Sequence, residues 1–386
     1  MKKALARAGL SVCLTTICLT GAPADAGPEK VRSIETASGK HIDEAALDRF
    51  IQERMHTLGM PGLSVAVIND GKIVYHRALG LANVEDRIPV TGQSIFEAAS
   101  LSKPVFAFFA MRMAEEGVID LDRPLFFYLP DLDFEIEPRY RGVTARMVLD
   151  HTTGFPNWRW FDPAPAERKV KSGDFYMKFD PGSKFYYSGE AYNYLSRVIA
   201  HNSHVDMEQL SRLFQSEVGR PVGMQYAYFT WDPFLYDHKV TGYVGGKPDR
   251  AVWPAGLPSD NSKSFSAAGG LHTEAVSYAH FLIAVMNGTG LRKRTIDEML
   301  KQQVELPADA PSRVSDGDTA WSLGFAMQPT KYGIEYEHGG NNGGFQSGFM
   351  FYREKRLGYV FFTNCDKGAE FNKDLESLLR DGVMTK

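Results

Sequence analysis

The chain has 386 residues, 44% hydrophobic and 12% aromatic, enough for a large core in one big domain or two lobes. Net charge is -4 with both signs interspersed, and no basic stripe marks a nucleic-acid surface, so nucleic acid is excluded as an expected partner. With 20 prolines and 36 glycines, the composition is that of a loop-rich globular protein rather than a disordered one.

The first residues read as a secretory signal peptide spanning residues 1 to 26. Lys2, Lys3 and Arg7 give a charged start, and Ala8 to Leu19 gives a short apolar run. Ala24-Asp25-Ala26 fits a small-x-small cleavage site before Gly27. The run is too short and broken to span a membrane, and no later segment reads as a span. The expected location is the periplasm. Cys13 and Cys18 leave with the peptide, so Cys365 stands alone and no intramolecular disulfide is expected.

Residues 27 to 40 are small and polar and read as a linker. Asp43 to Leu58 has the spacing of an amphipathic helix, with Leu47, Phe50, Ile51, Met55 and Leu58 on one side. Leu63 to Ile68 and Lys72 to Leu79 read as a hairpin around Asn69-Asp70-Gly71. A short strand at Ile95-Phe96 delivers the chain to Ser100. From Leu101 to Gly117 runs a helix apolar almost all round, which belongs in a core. Pro104 fits only its first turn.

Beyond it, Thr144 to Leu149, Tyr192 to Ala200 and Met207 to Val218 read as helices. An aromatic, turn-rich stretch to about Gly182 fits either a pocket wall or a core cover. Residues 221 to 264 are irregular. Helices are then expected from Glu274 to Met286 and from Thr295 to Gln303. Strands follow at Trp321 to Met327, Gln346 to Phe351 and Leu357 to Thr363, before a helix from Glu370 to Arg380. Strands at both ends and helices between them predict an α+β fold. One antiparallel sheet forms a lobe from about 41 to 99 and 265 to 386, with the terminal helices on one face. A mainly helical lobe from about 100 to 264 packs beside it.

Serine hydrolysis needs a nucleophile, a base within reach and two donors for the oxyanion. Three stretches supply such groups. Ser100 stands at the mouth of the apolar helix, with Lys103 one turn on along the same face. Burial lowers a lysine's pKa, and a neutral lysine can take a serine's proton. The second stretch is Phe185-Tyr186-Tyr187-Ser188-Gly189, where a phenol near a cationic lysine is expected partly as phenolate and thus as a second base. The third, Glu337-His338-Gly339-Gly340-Asn341-Asn342-Gly343-Gly344-Phe345, is dense enough in glycine to bring backbone N–H groups against a ligand. Singly, each reads as ordinary structure: a capping serine, a core tyrosine, a loop before a strand.

In this order, the stretches resemble the serine β-lactamase and penicillin-binding-protein superfamily, in its class C β-lactamase-related branch. That branch includes DD-carboxypeptidases, D-aminopeptidases and family VIII esterases. Matching blocks are Pro89 to Lys103, Glu116 to Leu121, Leu149 to Pro156, Pro181 to Ser188, Ala268 to Thr273 and His338 to Phe345. The resemblance implies a β-lactamase/transpeptidase-like fold with Ser100 as the acylated nucleophile. Lys103 and Tyr187 would share the base work, with Tyr187 protonating the leaving group. Backbone N–H groups of Ser100 and Asn341 would form the oxyanion hole, and His338, Gly339 and Gly340 would line the substrate. No metal or organic cofactor is implied, and the partner is a small-molecule or peptide substrate.

Two positions depart from the branch's pattern. Gly189 stands where Tyr-x-Asn has its asparagine, and His338 stands where K-T-G has its lysine. Both changes argue against efficient β-lactam hydrolysis. The expected function is an exported serine hydrolase acting on an ester or a D-amino-acid-type amide, with the ester slightly ahead. The alternatives are a weak β-lactamase and a non-catalytic β-lactam or cell-wall sensor. His201 and His204 have metal-compatible spacing but no supporting ligands. His151, in Leu-x-His-Thr-Thr-Gly, reads as a residue that positions a loop. The absence of G-x-S-x-G disfavours a nucleophile-elbow hydrolase.

Overall fold

The computed structural model describes residues 33–164, 166, 170–171, 173–249 and 264–383. The signal-peptide reading of residues 1 to 26 lies outside them.

Among the described residues, nine strands form one antiparallel sheet. Their order is Val304–Glu305, Ala320–Trp321, Ala326–Thr330, Gly333–Asn341, Gln346–Tyr352, Leu357–Thr363, Gly62–Asn69, Lys72–Asn83, Ile88–Pro89. The hairpin between Gly62–Asn69 and Lys72–Asn83 closes in two residues, Asp70 and Gly71, both with positive φ. A turn of that hand matches the twist of the strands it joins. Gly62–Asn69 is buried on both faces, and its alternation divides two cores. Leu63, Val65 and Val67 pack with Leu47, Phe50 and Ile51 of the Glu44–Leu58 helix and Leu375 and Leu379 of the Gly368–Asp381 helix. Ala66 and Ile68 face the other core, with the Ala275–Asn287 helix and the helix that follows Ser100.

That helix, Ser102–Glu115, is the hub of the second core. Val105, Phe106, Phe108, Phe109, Met111 and Met113 are all buried on it, each worth about 1.5–3 kcal/mol of burial. Helices Ala145–Leu149, Gly189–Asn202 and Met207–Phe214 surround it.

Four expectations need correction. Residues 33 to 40 are not linker: Ser33–Glu35 pairs antiparallel with His41–Asp43, and Ile34 is buried in the first core. The short strand before Ser100, Phe96–Glu97, joins a separate three-stranded sheet with His272–Thr273 and Ala227–Tyr228. The run from Trp321 to Met327 is two strands that pair with each other, Ala320–Trp321 and Ala326–Thr330. The turn between them carries Gly324 at φ +100, and a Cβ there would stand 2.6 Å from Ala107 Cβ of the central helix. Last, the glycine-dense stretch is itself a strand, Gly333–Asn341, paired on both sides. Its poor intrinsic strand propensity is overridden by the neighbours it pairs with.

Candidate active site

The nucleophile turn is held from three directions. Ala99–Leu101 makes a 3-10 turn into the central helix, and Ala99 sits at φ 49. A left-handed alanine is strained by about 1–2 kcal/mol and persists only where its surroundings fix it. Ser102 Oγ donates to the Ala99 carbonyl at 2.6 Å and accepts from Leu271 N–H at 2.9 Å. Ser347 Oγ donates to the Ala98 carbonyl at 2.8 Å. Ser100 itself remains partly exposed at the mouth.

Lys103 is 1% exposed, with Nζ 3.3 Å from Ser100 Oγ and donating a hydrogen bond to the Ala268 carbonyl at 2.7 Å. Burial pulls its pKa from 10.5 down to about 7. The same Nζ lies 4.5 Å from the Tyr187 ring centroid. Burial raises the Tyr187 phenol above its ordinary value, opposed by a hydrogen bond with Ser100. The expectation of a partial phenolate is therefore corrected. In this pocket the lysine gives up a proton before the tyrosine does, so one neutral base and one neutral acid face the serine.

His338 is also neutral. Burial, then the nearby Lys103 charge, pull its pKa to about 3. Its Nδ1 lies 2.7 Å from the Gly339 carbonyl, which places the proton on Nδ1 and leaves the buried Nε2 an acceptor without a partner. His151 has the opposite tautomer, because its Nδ1 accepts from Ser188 N–H at 3.0 Å. The His151 ring lies 4.3 Å from that of Tyr187, and Trp321 contacts His151, Tyr187 and His338 edge-on. His151 thus holds the turn at Tyr186 and Ser188, as expected, and also backs the Tyr187 ring.

The glycine strand runs against the nucleophile turn. A Cβ on Gly340 would meet Ser347 Oγ at 2.3 Å and the Ala98 carbonyl at 2.7 Å, so any side chain there would push the strand from Ser100. Asn341 follows on the same strand, paired with Gln346. Asn342 ties the end down: its Nδ2 donates to Glu97 at 2.9 Å, and Glu97 pairs with Lys239 at 2.9 Å.

Trp158 accounts for Gly189. A Cβ at position 189 would lie 2.6 Å from the indole Cζ2, so the ring occupies the space a side chain would need. Asn193, one turn along that helix, accepts from Ala268 N–H at 3.4 Å and so steadies the segment whose carbonyl holds Lys103. Trp158, Trp321, Asn193 and the Ala268 carbonyl carry no motif of their own. The signals for them were indirect: the missing asparagine at 189 and the Ala268 to Thr273 block. His201 and His204 belong to no ligand cluster among the described residues. No described helix is long and apolar enough to cross a membrane.

Residues 47–383 match the protein-family model described as Beta-lactamase. A D-aminopeptidase of Gluconobacter oxydans (strain 621H) is 24% identical over 80% of this chain and 57% of its own. Esterase EstB of Burkholderia gladioli is 27% identical over 58% of this chain and 56% of its own. The matched region spans little more than half of either relative. The D-alanine carboxypeptidase AmpC from Burkholderia cenocepacia superposes with a TM-score of 0.65 at 20% identity, covering 83% of this chain and 93% of that one. The likeness of fold extends over the sheet and the helical lobe together.

Proposed function

The chain belongs to the beta-lactamase family, whose members here are serine hydrolases, and from that premise we propose that it cleaves an ester through an acyl-enzyme on Ser100. Neutral Lys103 takes the Ser100 proton as Oγ attacks the carbonyl carbon. Backbone N–H groups of Ser100 and Asn341 hold the oxyanion. Tyr187 donates its proton to the departing alkoxide and regains one from the Lys103 ammonium. Water then attacks the acyl group with Lys103 again as base, returning Ser100.

The observation that carries the preference for an ester is the neutral His338. A substrate carboxylate, as in a β-lactam or a peptide C-terminus, finds no charge at that position. Trp158 over Gly189 removes a second polar anchor. A D-amino-acid amide is the second reading, favoured by the D-aminopeptidase relative.

The test compares p-nitrophenyl butyrate, D-alanine p-nitroanilide and a penicillin on purified protein. The ester is expected to exceed the amide at least tenfold in kcat/KM, with a mass adduct that maps to Ser100. A faster amide overturns the ester preference, and full activity in Ser100→Ala overturns the mechanism. Export is proposed with it: protein in the periplasmic fraction should begin at Gly27, and retention of Met1 there argues otherwise.

A further inference from the structure

Asn342 ties together the three stretches that carry the reacting groups. It follows Asn341, the second oxyanion donor, at the end of the Gly333–Asn341 strand. Its side-chain amide has two protons to give. Nδ2 donates to Glu97 Oε2 at 2.9 Å and to the Gly269 carbonyl at 3.3 Å. Glu97 stands three residues before Ser100, and Gly269 directly follows Ala268, whose carbonyl holds Lys103.

The turn after Asn341 is braced within itself. Gly343 N–H donates to Asn341 Oδ1 at 2.8 Å, and Asn342 N–H donates to the Phe345 carbonyl at 2.9 Å. Asn341 therefore shifts with the turn as one unit. On the far side, Gly344 N–H donates to Asp249 at 3.2 Å, and the Gly344 carbonyl accepts from Tyr243 N–H at 3.3 Å. On the side of Ser100, the Asn342 side chain supplies the hold.

The acceptor that Asn342 grips belongs to a buried ion pair. The Glu97 and Lys239 side chains are 2% and 9% exposed, and they meet at 2.9 Å. His272 lies opposite Glu97 on the neighbouring strand, and burial drives its pKa down to about 4, so Lys239 supplies the balancing charge. Such a pair stabilises a fold little or not at all beside apolar residues of its size. What it adds here is grip, because a charged acceptor holds a donor about twice as strongly as a neutral one. Lys239 also stands 4.8 Å over the Phe345 ring, at the other end of the turn.

We propose that Glu97, balanced by Lys239, is a positioning residue for the oxyanion hole: through Asn342 it sets the place of the Asn341 N–H relative to that of Ser100. That role rests on the acyl-enzyme reading of Ser100. Donors in such a hole act at about 2.7–3.1 Å from the oxyanion, and a misplacement of about 1 Å costs about a hundredfold in rate.

The experiment follows turnover of whichever ester or amide wild type cleaves best, together with inhibition by butylboronic acid. Ser100 Oγ adds to the boron as its proton passes to Lys103. No group leaves, and the tetrahedral adduct places an oxygen where the oxyanion would stand. Asn342→Ala should lower kcat by about 10- to 100-fold with KM within about threefold, and weaken the boronate by a like factor. Its unfolding midpoint should stay within about 2 °C of wild type. The rise of its kcat/KM with pH should still level at about 7, because Lys103 is untouched. Glu97→Met/Lys239→Met removes charges and acceptor together and should behave like Asn342→Ala. Glu97→Gln/Lys239→Met keeps an oxygen for Asn342 and should exceed it by about fivefold or more in kcat. Should neither double variant fold, Asn342→Ala alone decides. Unchanged kcat in Asn342→Ala overturns the proposal, as do equal rates in the two double variants. A moved levelling point also overturns it, and places the effect on Lys103 through Gly269. Wild type that forms no boronate adduct fails the acyl-enzyme reading and the proposal with it. Adducts equally tight in wild type and Asn342→Ala fail the proposal alone.

Discussion

The two faces of the Gly333–Asn341 strand bury opposite chemistry under one physical rule. In front, Lys103, His151 and His338 are bases whose pKa values burial lowers. Behind, Asp318, Glu335, Glu337 and Glu376 are acids whose values burial raises, Glu376 to about 7. Each face is driven towards neutrality. The difference lies in what neutrality makes possible. A neutral lysine 3.3 Å from a serine is a base within reach of a hydroxyl, whereas the carboxylates behind relieve their mutual repulsion by holding protons between them.

The front face breaks most sharply by mutation. Ser100→Ala should abolish ester hydrolysis, and Lys103→Ala should lower kcat/KM by about a thousandfold or more. Near-normal rates in either would dissolve the assignment of the front face as catalytic. Wild-type kcat/KM should climb about tenfold per pH unit up to about 7 and then level, because the active Lys103 is the neutral one. A profile flat from pH 5 to 8 would mean that another group is the base.

Stability should move the other way from activity. The unfolded chain protonates Lys103 up to about pH 10.5 and the folded chain only to about 7, so burial of this amine destabilises the fold across that window. Lys103→Met should therefore raise the unfolding midpoint by about 3 °C or more at pH 7.5 while abolishing turnover. A lowered midpoint would show that the Ala268 contact outweighs desolvation.

Gly189→Asn should cost about 1–3 kcal/mol by driving a side chain into Trp158. Adding Trp158→Ala should recover much of it, and denaturant midpoints of the three variants test the coupling. The smallest effect concerns the back face. Its acids have raised values when folded, so their favourable contribution is full at acid pH and fades as pH rises through about 7. Wild type should lose midpoint from pH 5 to 8, and Asp318→Asn should flatten that slope.

The sequence showed the front face better than the back for a reason of distance. Ser100 and Lys103 are one helical turn apart, so their partnership is local and readable. Tyr187 and His338 were placed through blocks that lie in a recognisable order. Their ionisation was not readable, because it depends on burial that single-sequence reading does not supply; the phenolate expectation failed there. Asp318, Glu337 and Glu376 meet only after the sheet and its last helix assemble, and their local sequences look like ordinary polar surface. The glycine strand was missed because propensity spoke for a loop and pairing decided otherwise. The Ile34 hairpin was missed because one buried side chain in a polar stretch carries no period.

The strand order has a consequence for when the molecule can act. Leu357–Thr363 is wedged between Gln346–Tyr352 and the early hairpin strand Gly62–Asn69. A ribosome therefore produces Ser100 and Lys103 long before the strands that must flank them exist, and Gly62–Asn69 waits with one edge bare. Pairings so distant in sequence form slowly and leave that edge open to other chains. The nascent polypeptide thus completes the surroundings of Ser100 only when its late strands close over its early ones.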